Sequence, residues 1–261
     1  MPFIDVPNAQ LYFETNGESG PWITLINGHT RSSKDFRLLA RNLADAGFQC
    51  LTFDNRGSGQ TKTVAAYTFA EMAQDVYALW DKFGIKKSFV VGISMGGMIA
   101  EIIASERDIS GLVLISTGAR QQDLNPLGST PWGATLEDVS SRMSHYFTSG
   151  FASRNKFLVD AMSKQILLAI QNDGFEERAL EQRAAIEGID HQALLEHIKC
   201  PTLIIHGSED QIIRVEAAHN LNESIPNAEL KIIEGAGHLL LAEDPKTLAK
   251  SVVDFCQTHR I

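Results

Sequence analysis

Six short segments of this chain are apolar rather than alternating: Trp22–Asn27, Phe48–Phe53, Ser88–Ile93, Gly111–Ser116, Thr202–His206 and Glu229–Glu234. A strand with one wet face alternates apolar and polar residues, whereas a strand covered on both faces does not. The gaps between these segments carry helical patterns. From Phe69 the apolar positions are Phe69, Met72, Val76, Leu79, Trp80 and Phe83, with Thr68 and Glu71 spaced as a capping box. Phe36, Leu39, Ala40, Leu43 and Ala46 make a second stripe. Near the end, Asp244 caps, Pro245 takes the first helical position, and Leu248, Val252 and Phe255 face inward. Strands alternating with helices imply an α/β protein with a parallel sheet and helices on both faces. Two earlier runs, around Phe3–Val6 and Gln10–Glu14, add an antiparallel hairpin at one edge, for a mostly parallel eight-stranded sheet.

From about Ala119 to about Ile189 the sequence offers helical patterns and no strand. Thr135 and Asp138 cap a helix carrying Val139, Met143, Tyr146 and Phe147, and further helical runs cover Phe157–Ile170 and Phe175–Ile186. The expectation is a core domain from residues 1–118 and 190–261, with residues 119–189 inserted as a helical cap. In open α/β sheets ligands sit beyond the carboxyl ends of the strands, so an insertion leaving that edge can cover the site.

The formal charge of −9 repels phosphate backbones and anionic lipid, which argues against nucleic acid and membrane surfaces as partners. Cys50, Cys200 and Cys256 are too few and too scattered for a disulfide framework or a metal site. Their odd number fits a reducing compartment. The first twenty residues lack the basic start and apolar run of a signal peptide, and no stretch approaches the roughly 20 apolar residues that span a bilayer. A cytoplasmic protein is expected.

The chemistry concentrates where strands end. Gly92-Ile93-Ser94-Met95-Gly96 closes an apolar strand and opens a helix. A serine there sits on a tight strand-to-helix turn with its hydroxyl above the sheet. The Met95 N–H, at the helix start, can point at a developing oxyanion. A serine hydroxyl needs a base, and His238 follows the last strand in Gly235-Ala236-Gly237-His238, on the same edge. Of the other histidines, His206 is expected within or below the sheet, and His145, His191 and His197 fall on helical patterns. The base needs an acid that fixes its tautomer. Asp210 follows Thr202–His206 on another carboxyl-edge loop and is preferred to its neighbour Glu209, since alternation lets one of the two face the histidine. The second oxyanion donor should come from the loop Asn27-Gly28-His29-Thr30, as the N–H of His29. Trp132, Phe147, Phe151, Ile212 and Leu239 are candidate substrate-binding walls of a mainly apolar pocket.

On Asn27-Gly28, Asp54–Gly59, Gly92–Gly96, His206–Asp210 and Gly235–His238, in this order, the chain resembles the α/β-hydrolase fold superfamily, in the group of serine esterases and lactonases related to 3-oxoadipate enol-lactone hydrolases. The resemblance covers nearly the whole chain. It implies an α/β-hydrolase fold and ester hydrolysis through an acyl-enzyme by Ser94, His238 and Asp210, with no cofactor and no metal. Lactone or enol-lactone hydrolysis in aromatic catabolism, and a slow-turnover ligand receptor of the same fold, are the alternatives. The partner implied is a small ester or lactone, and a homodimer is compatible with the sequence. Relatives usually carry His-Gly where this chain has Asn27-Gly28, so Asn27 is expected to brace that loop. Arg56 is expected to tie loops together rather than to do chemistry.

Overall fold

The computed structural model describes residues 2–125, 132–172 and 174–260. The six apolar segments form strands β3 (Trp22–Ile26), β4 (Gln49–Phe53), β6 (Ser88–Ile93), β7 (Gly111–Ile115), β8 (Thr202–Gly207) and β9 (Ala228–Ile233). They lie parallel in the order β4-β3-β6-β7-β8-β9. The hairpin of β1 (Phe3–Val6) and β2 (Ala9–Asn16) joins antiparallel beside β4. A two-residue strand, β5 (Lys62–Thr63), pairs with β2. That piece is too short to leave a pattern in the sequence, and it extends the expected eight strands to nine among the described residues.

In β3, β4, β6, β7 and β8 the absence of alternation has the expected cause, whereas β9, at the edge of the sheet, alternates half-buried and exposed residues, with Glu229 and Lys231 facing out, because only one of its sides has a neighbouring strand. Ile23, Leu25, Val91, Val113 and Ile205 point to one face, where helices α1 (Arg37–Asp45) and α11 (Pro245–Thr258) cover them with Leu39, Leu43, Leu248, Val252 and Phe255. Ile26, Val90, Leu112, Leu114 and Ile204 point to the other. There α2 (Phe69–Phe83) and α3 (Met95–Glu106) pack with Met72, Val76, Leu79, Met98 and Ile99. Both anticipated caps form: Thr68 accepts from the Glu71 amide, and Asp244 accepts from the Thr247 amide with Pro245 opening α11.

Between β7 and β8 the chain passes through α4 (Leu136–Ser144), α5 (Ser149–Arg154), α6 (Lys156–Asn172), α7 (Phe175–Ile186) and α8 (Gln192–Leu195). Residues 126–131 and 173 of this segment lie outside the described residues. The capping box of Thr135 and Asp138 forms, but α4 ends at Ser144, before Tyr146 and Phe147, which the sequence pattern had included. Trp132, Val139, Met143, Phe147, Val159, Ile166, Phe175 and Ala179 make an apolar cluster of their own, apart from the two clusters of the sheet. Where the segment leaves and rejoins the sheet its two ends pair: Arg120 bridges Asp190, the Gln121 amide donates to the Ile189 carbonyl, and the His191 amide donates to the Ala119 carbonyl. The remaining helices are α9 (Val215–Ser224) and α10 (Leu240–Glu243).

A buried carboxyl group sits beneath this junction. Glu101 of α3 has no exposed surface and holds His191 Nδ1 at 3.0 Å. Burial pushes its carboxyl up to about 7, with the His191 hydrogen bond and charge opposing and Asp123 adding to the rise. The folded protein therefore keeps a proton that the unfolded chain gives up near the ordinary carboxylate value. The stability this contributes is complete below that value and is lost as pH rises through about 7. Glu101→Gln should remove the loss. Urea unfolding at about pH 5 and about pH 8 checks it: the variant should gain a few kcal/mol relative to the parent at the higher pH. An unchanged difference between the two pH values would refute the assignment.

Candidate active site

Ser94 stands between β6 and α3 with φ +53° and ψ −122°. A non-glycine residue rarely adopts a positive φ, and here the surroundings hold it. The Ser94 amide donates to the Ile115 carbonyl at 2.9 Å, and Thr117 Oγ1 donates to the Ser94 carbonyl at 2.7 Å. The glycine at position 96 is dictated by close approach, since a Cβ there would lie 2.1 Å from the Ile26 carbonyl oxygen of β3. Helix α3 thus packs backbone to backbone against the sheet and lifts the serine hydroxyl above its edge.

His238 reaches that hydroxyl from the loop after β9, with Nε2 3.1 Å from Ser94 Oγ. Its Nδ1 lies 2.8 Å from Asp210 Oδ2. A carboxylate on Nδ1 fixes the tautomer, leaving Nε2 to accept from the hydroxyl. The other Asp210 oxygen accepts from the amides of Ile212 and Ile213 at 2.8 and 3.0 Å. Burial alone would push the Asp210 carboxyl up, but the His238 charge and the hydrogen bonds from His206 and His238 hold it well below the usual range. Glu209 is exposed. His206 is buried, as expected, yet it also touches the acid, with Nε2 3.3 Å from Asp210 Oδ2 and 3.0 Å from the Ile213 carbonyl. Both neighbours accept, so this nitrogen carries its proton.

Ser94 and His238 open into a cavity of about 520 Å³. Its wall includes Ser94, His238, His29, Met95, Trp132, Ile212 and Leu239. Phe147 and Phe151, expected on that wall, are absent from it: they stack on each other at 5.2 Å inside the cluster of the inserted helices. An apolar stripe marks a covered face without saying whether protein or ligand covers it. Met98, Met143, Tyr146, Met162 and Ile186 line the cavity instead, with Arg31, Asp35, Gln121, Gln165, Arg183 and Glu187 as its polar part. Met143 and Tyr146 lay on the same sequence stripe as Phe147.

Two loops flanking the hydroxyl are braced. Asn27 Oδ1 accepts from the Gly28 amide at 2.8 Å while its Nδ2 donates to the Ser32 carbonyl at 2.6 Å, so the asparagine supports this turn as expected. His29 Nε2 lies 2.9 Å from the Ala179 carbonyl of α7, and burial pushes the ring down to about 4, so at neutral pH it is uncharged and donates this bond. The amides of His29 and Met95 have no hydrogen-bond partner among the described residues. The amides of His238 and Leu239 both donate to the Tyr146 carbonyl at 3.1 Å. Glu243, pushed up by burial and held back by its amide partners, accepts from Gly237 and Thr148 at 2.9 and 2.8 Å. Sequence reasoning missed Glu243, as no local pattern announces a carboxylate that joins two loops.

A family model described as the alpha/beta hydrolase fold matches residues 21–245. The chain belongs to this family. Among curated α/β-hydrolases it is 26% identical to the AB hydrolase superfamily protein YisY of Bacillus subtilis, over 95% of this chain and 96% of that one. Among solved structures it superposes on the enol-lactonase from Burkholderia xenovorans with a TM-score of 0.85 at 23% identity, covering 98% of this chain and 100% of that one. It superposes on a thermophilic esterase from Thermogutta terrifontis with a TM-score of 0.83 at 22% identity, covering 100% and 98%. Hydrolases of this fold take different acyl compounds, and at these identities the superpositions speak for the architecture. No helix among the described residues is long and apolar enough to cross a membrane.

Proposed function

We propose that this hydrolase cleaves carboxylic esters of small to medium acyl or aryl compounds through an acyl-enzyme on Ser94. The observation that carries the reading is the hydrogen-bonded series Asp210–His238–Ser94, at 2.8 and 3.1 Å, whose Ser94 and His238 line the cavity. His238 takes the Ser94 proton as the oxygen attacks the carbonyl carbon. The amides of His29 and Met95 stabilise the oxyanion of the tetrahedral intermediate. His238 returns the proton to the leaving oxygen, and water then releases the acid by the same steps. Asp210 stays ionised throughout and stabilises the imidazolium.

The wall supports a permissive acyl preference. Met95, Met98, Met143 and Met162 are unbranched and adapt to differing shapes. The volume lies within the roughly 300–1,000 Å³ range of small-molecule sites. Residues 119–189 are proposed to be a cap that closes this cavity, and the protein is proposed to work in the cytoplasm, where its three free cysteines stay reduced.

A second reading, lactone or enol-lactone hydrolysis, is favoured by the likeness to the enol-lactonase architecture. A lactone's leaving oxygen stays tethered to the acyl group, so its hydrolysis gives a single product. Parallel turnover of aryl acetates and simple lactones separates the two. The common mechanism is tested by mixing enzyme with p-nitrophenyl acetate and with a fluorophosphonate. We expect a burst of about one nitrophenol per chain and covalent label on Ser94 alone. An unlabelled protein with no ester or lactone turnover would leave a binding role instead.

A further inference from the structure

Resting on the reading of His29 as an oxyanion donor, we infer that Gln182 of the cap helix α7 is a positioning residue for the oxyanion site. Its side chain is fully buried and reaches three groups of the core. Oε1 accepts from the Thr30 amide at 2.6 Å. Nε2 donates to the Arg56 carbonyl at 2.7 Å and to Ser58 Oγ at 2.8 Å.

The peptide so held is under strain. Thr30 has φ +61°, a conformation that branching at Cβ makes costly. Its hydroxyl donates to the His29 carbonyl at 2.7 Å, so the unit from His29 to Thr30 turns as one piece. One turn before Gln182, the Ala179 carbonyl receives the His29 ring. A single face of α7 therefore grips both residues, while Asn27 braces the loop from the other side.

The two oxyanion donors consequently differ in kind. The Met95 amide opens α3, whose first turn is buried against the sheet. The His29 amide belongs to a loop whose strained shape depends on an amide side chain in the cap. Without Gln182, Thr30 relaxes toward negative φ and the His29 amide turns away. The helical segment and the oxyanion site are thereby coupled through one side chain.

The test compares Gln182→Met, which removes all three bonds at similar volume, with Gln182→Glu, which keeps the acceptor for Thr30 and loses the donors to Arg56 and Ser58. Amide hydrogen exchange over residues 28–31 should accelerate in the Met variant and stay near the parent rate in the Glu variant. In the Met variant kcat should fall by about 10- to 100-fold with little change in KM, less than outright loss of an oxyanion donor. An aryl trifluoromethyl ketone, which adds to a serine hydroxyl and creates an oxyanion, should lose affinity by the same factor. The Glu variant should recover most of both, even at a lower melting temperature. Unchanged exchange in the Met variant, or equal loss of kcat in both variants, overturns the inference. If the unmodified protein neither turns over esters nor binds the ketone, the reading of function fails, and the exchange comparison still decides whether Gln182 holds the loop.

Discussion

A Ser94→Ala variant should keep the parent fold and lose kcat for ester turnover by about 10⁵- to 10⁶-fold. The loss is large because the hydroxyl has no substitute. His238 would be left to activate water directly, at a distance set for the serine oxygen. The residual rate above the uncatalysed reaction would come from the oxyanion amides and from binding in the cavity. Stability should change little. Alanine keeps the Cβ, so the strain at φ +53° is the same in both proteins, and the bond lost is the one to His238. Steady-state kinetics together with a thermal melt checks both halves. Activity within tenfold of the parent would remove Ser94 from the mechanism.

Asp75→Ala should destabilise the protein by about 3–5 kcal/mol, a large share of the roughly 5–15 kcal/mol that holds a domain folded. Arg56 is almost fully buried and meets the Asp75 carboxylate with two bonds, of 2.7 and 2.8 Å. A further bond of 2.9 Å reaches the Pro7 carbonyl, tying the loop after β4 to the hairpin and to α2. This is the structural part expected of Arg56 in the sequence. Burial pushes the Asp75 carboxyl up while the hydrogen bonds and charge of the Arg56 guanidinium oppose the shift. Remove the carboxylate and a guanidinium whose Nη1 already has no partner among the described residues is left buried without a countercharge. The double replacement Arg56→Met with Asp75→Leu should recover most of the loss, since a matched apolar pair leaves no charge uncompensated. Urea unfolding of the single and double variants measures the coupling. Additive losses would mean that the pair does not act as a unit.

The parts of this protein that were legible in its sequence share a physical basis. Strands buried on both faces must be apolar throughout, so β3, β6 and β8 announce themselves. The groups at the ends of parallel strands share one edge of the sheet, so their places after β6, β8 and β9 put Ser94, Asp210 and His238 on that edge. What stayed hidden depends on partners remote in the chain. Gln182 and Thr30 are 152 positions apart, and nothing near either residue hints at the other. His206 was legible as buried but not as a neighbour of Asp210, because burial is a property of the strand while the contact depends on how the following loop folds back. Phe147 and Phe151 were misplaced for a related reason: periodicity gives the direction of a side chain, and the shape of what it faces comes from tertiary packing.

The paired chain ends at Arg120 and Asp190 bring the outgoing and returning backbones of the helical segment side by side. Such a junction suits grafting. A different set of helices spliced in there would leave every strand in place and would present a new chamber to the same serine. The transplant would carry an obligation that its own sequence does not reveal. It must bring an acceptor to the Thr30 amide and a carbonyl to the His238 turn, or the recipient would gain a new specificity with poorly aligned machinery beneath it.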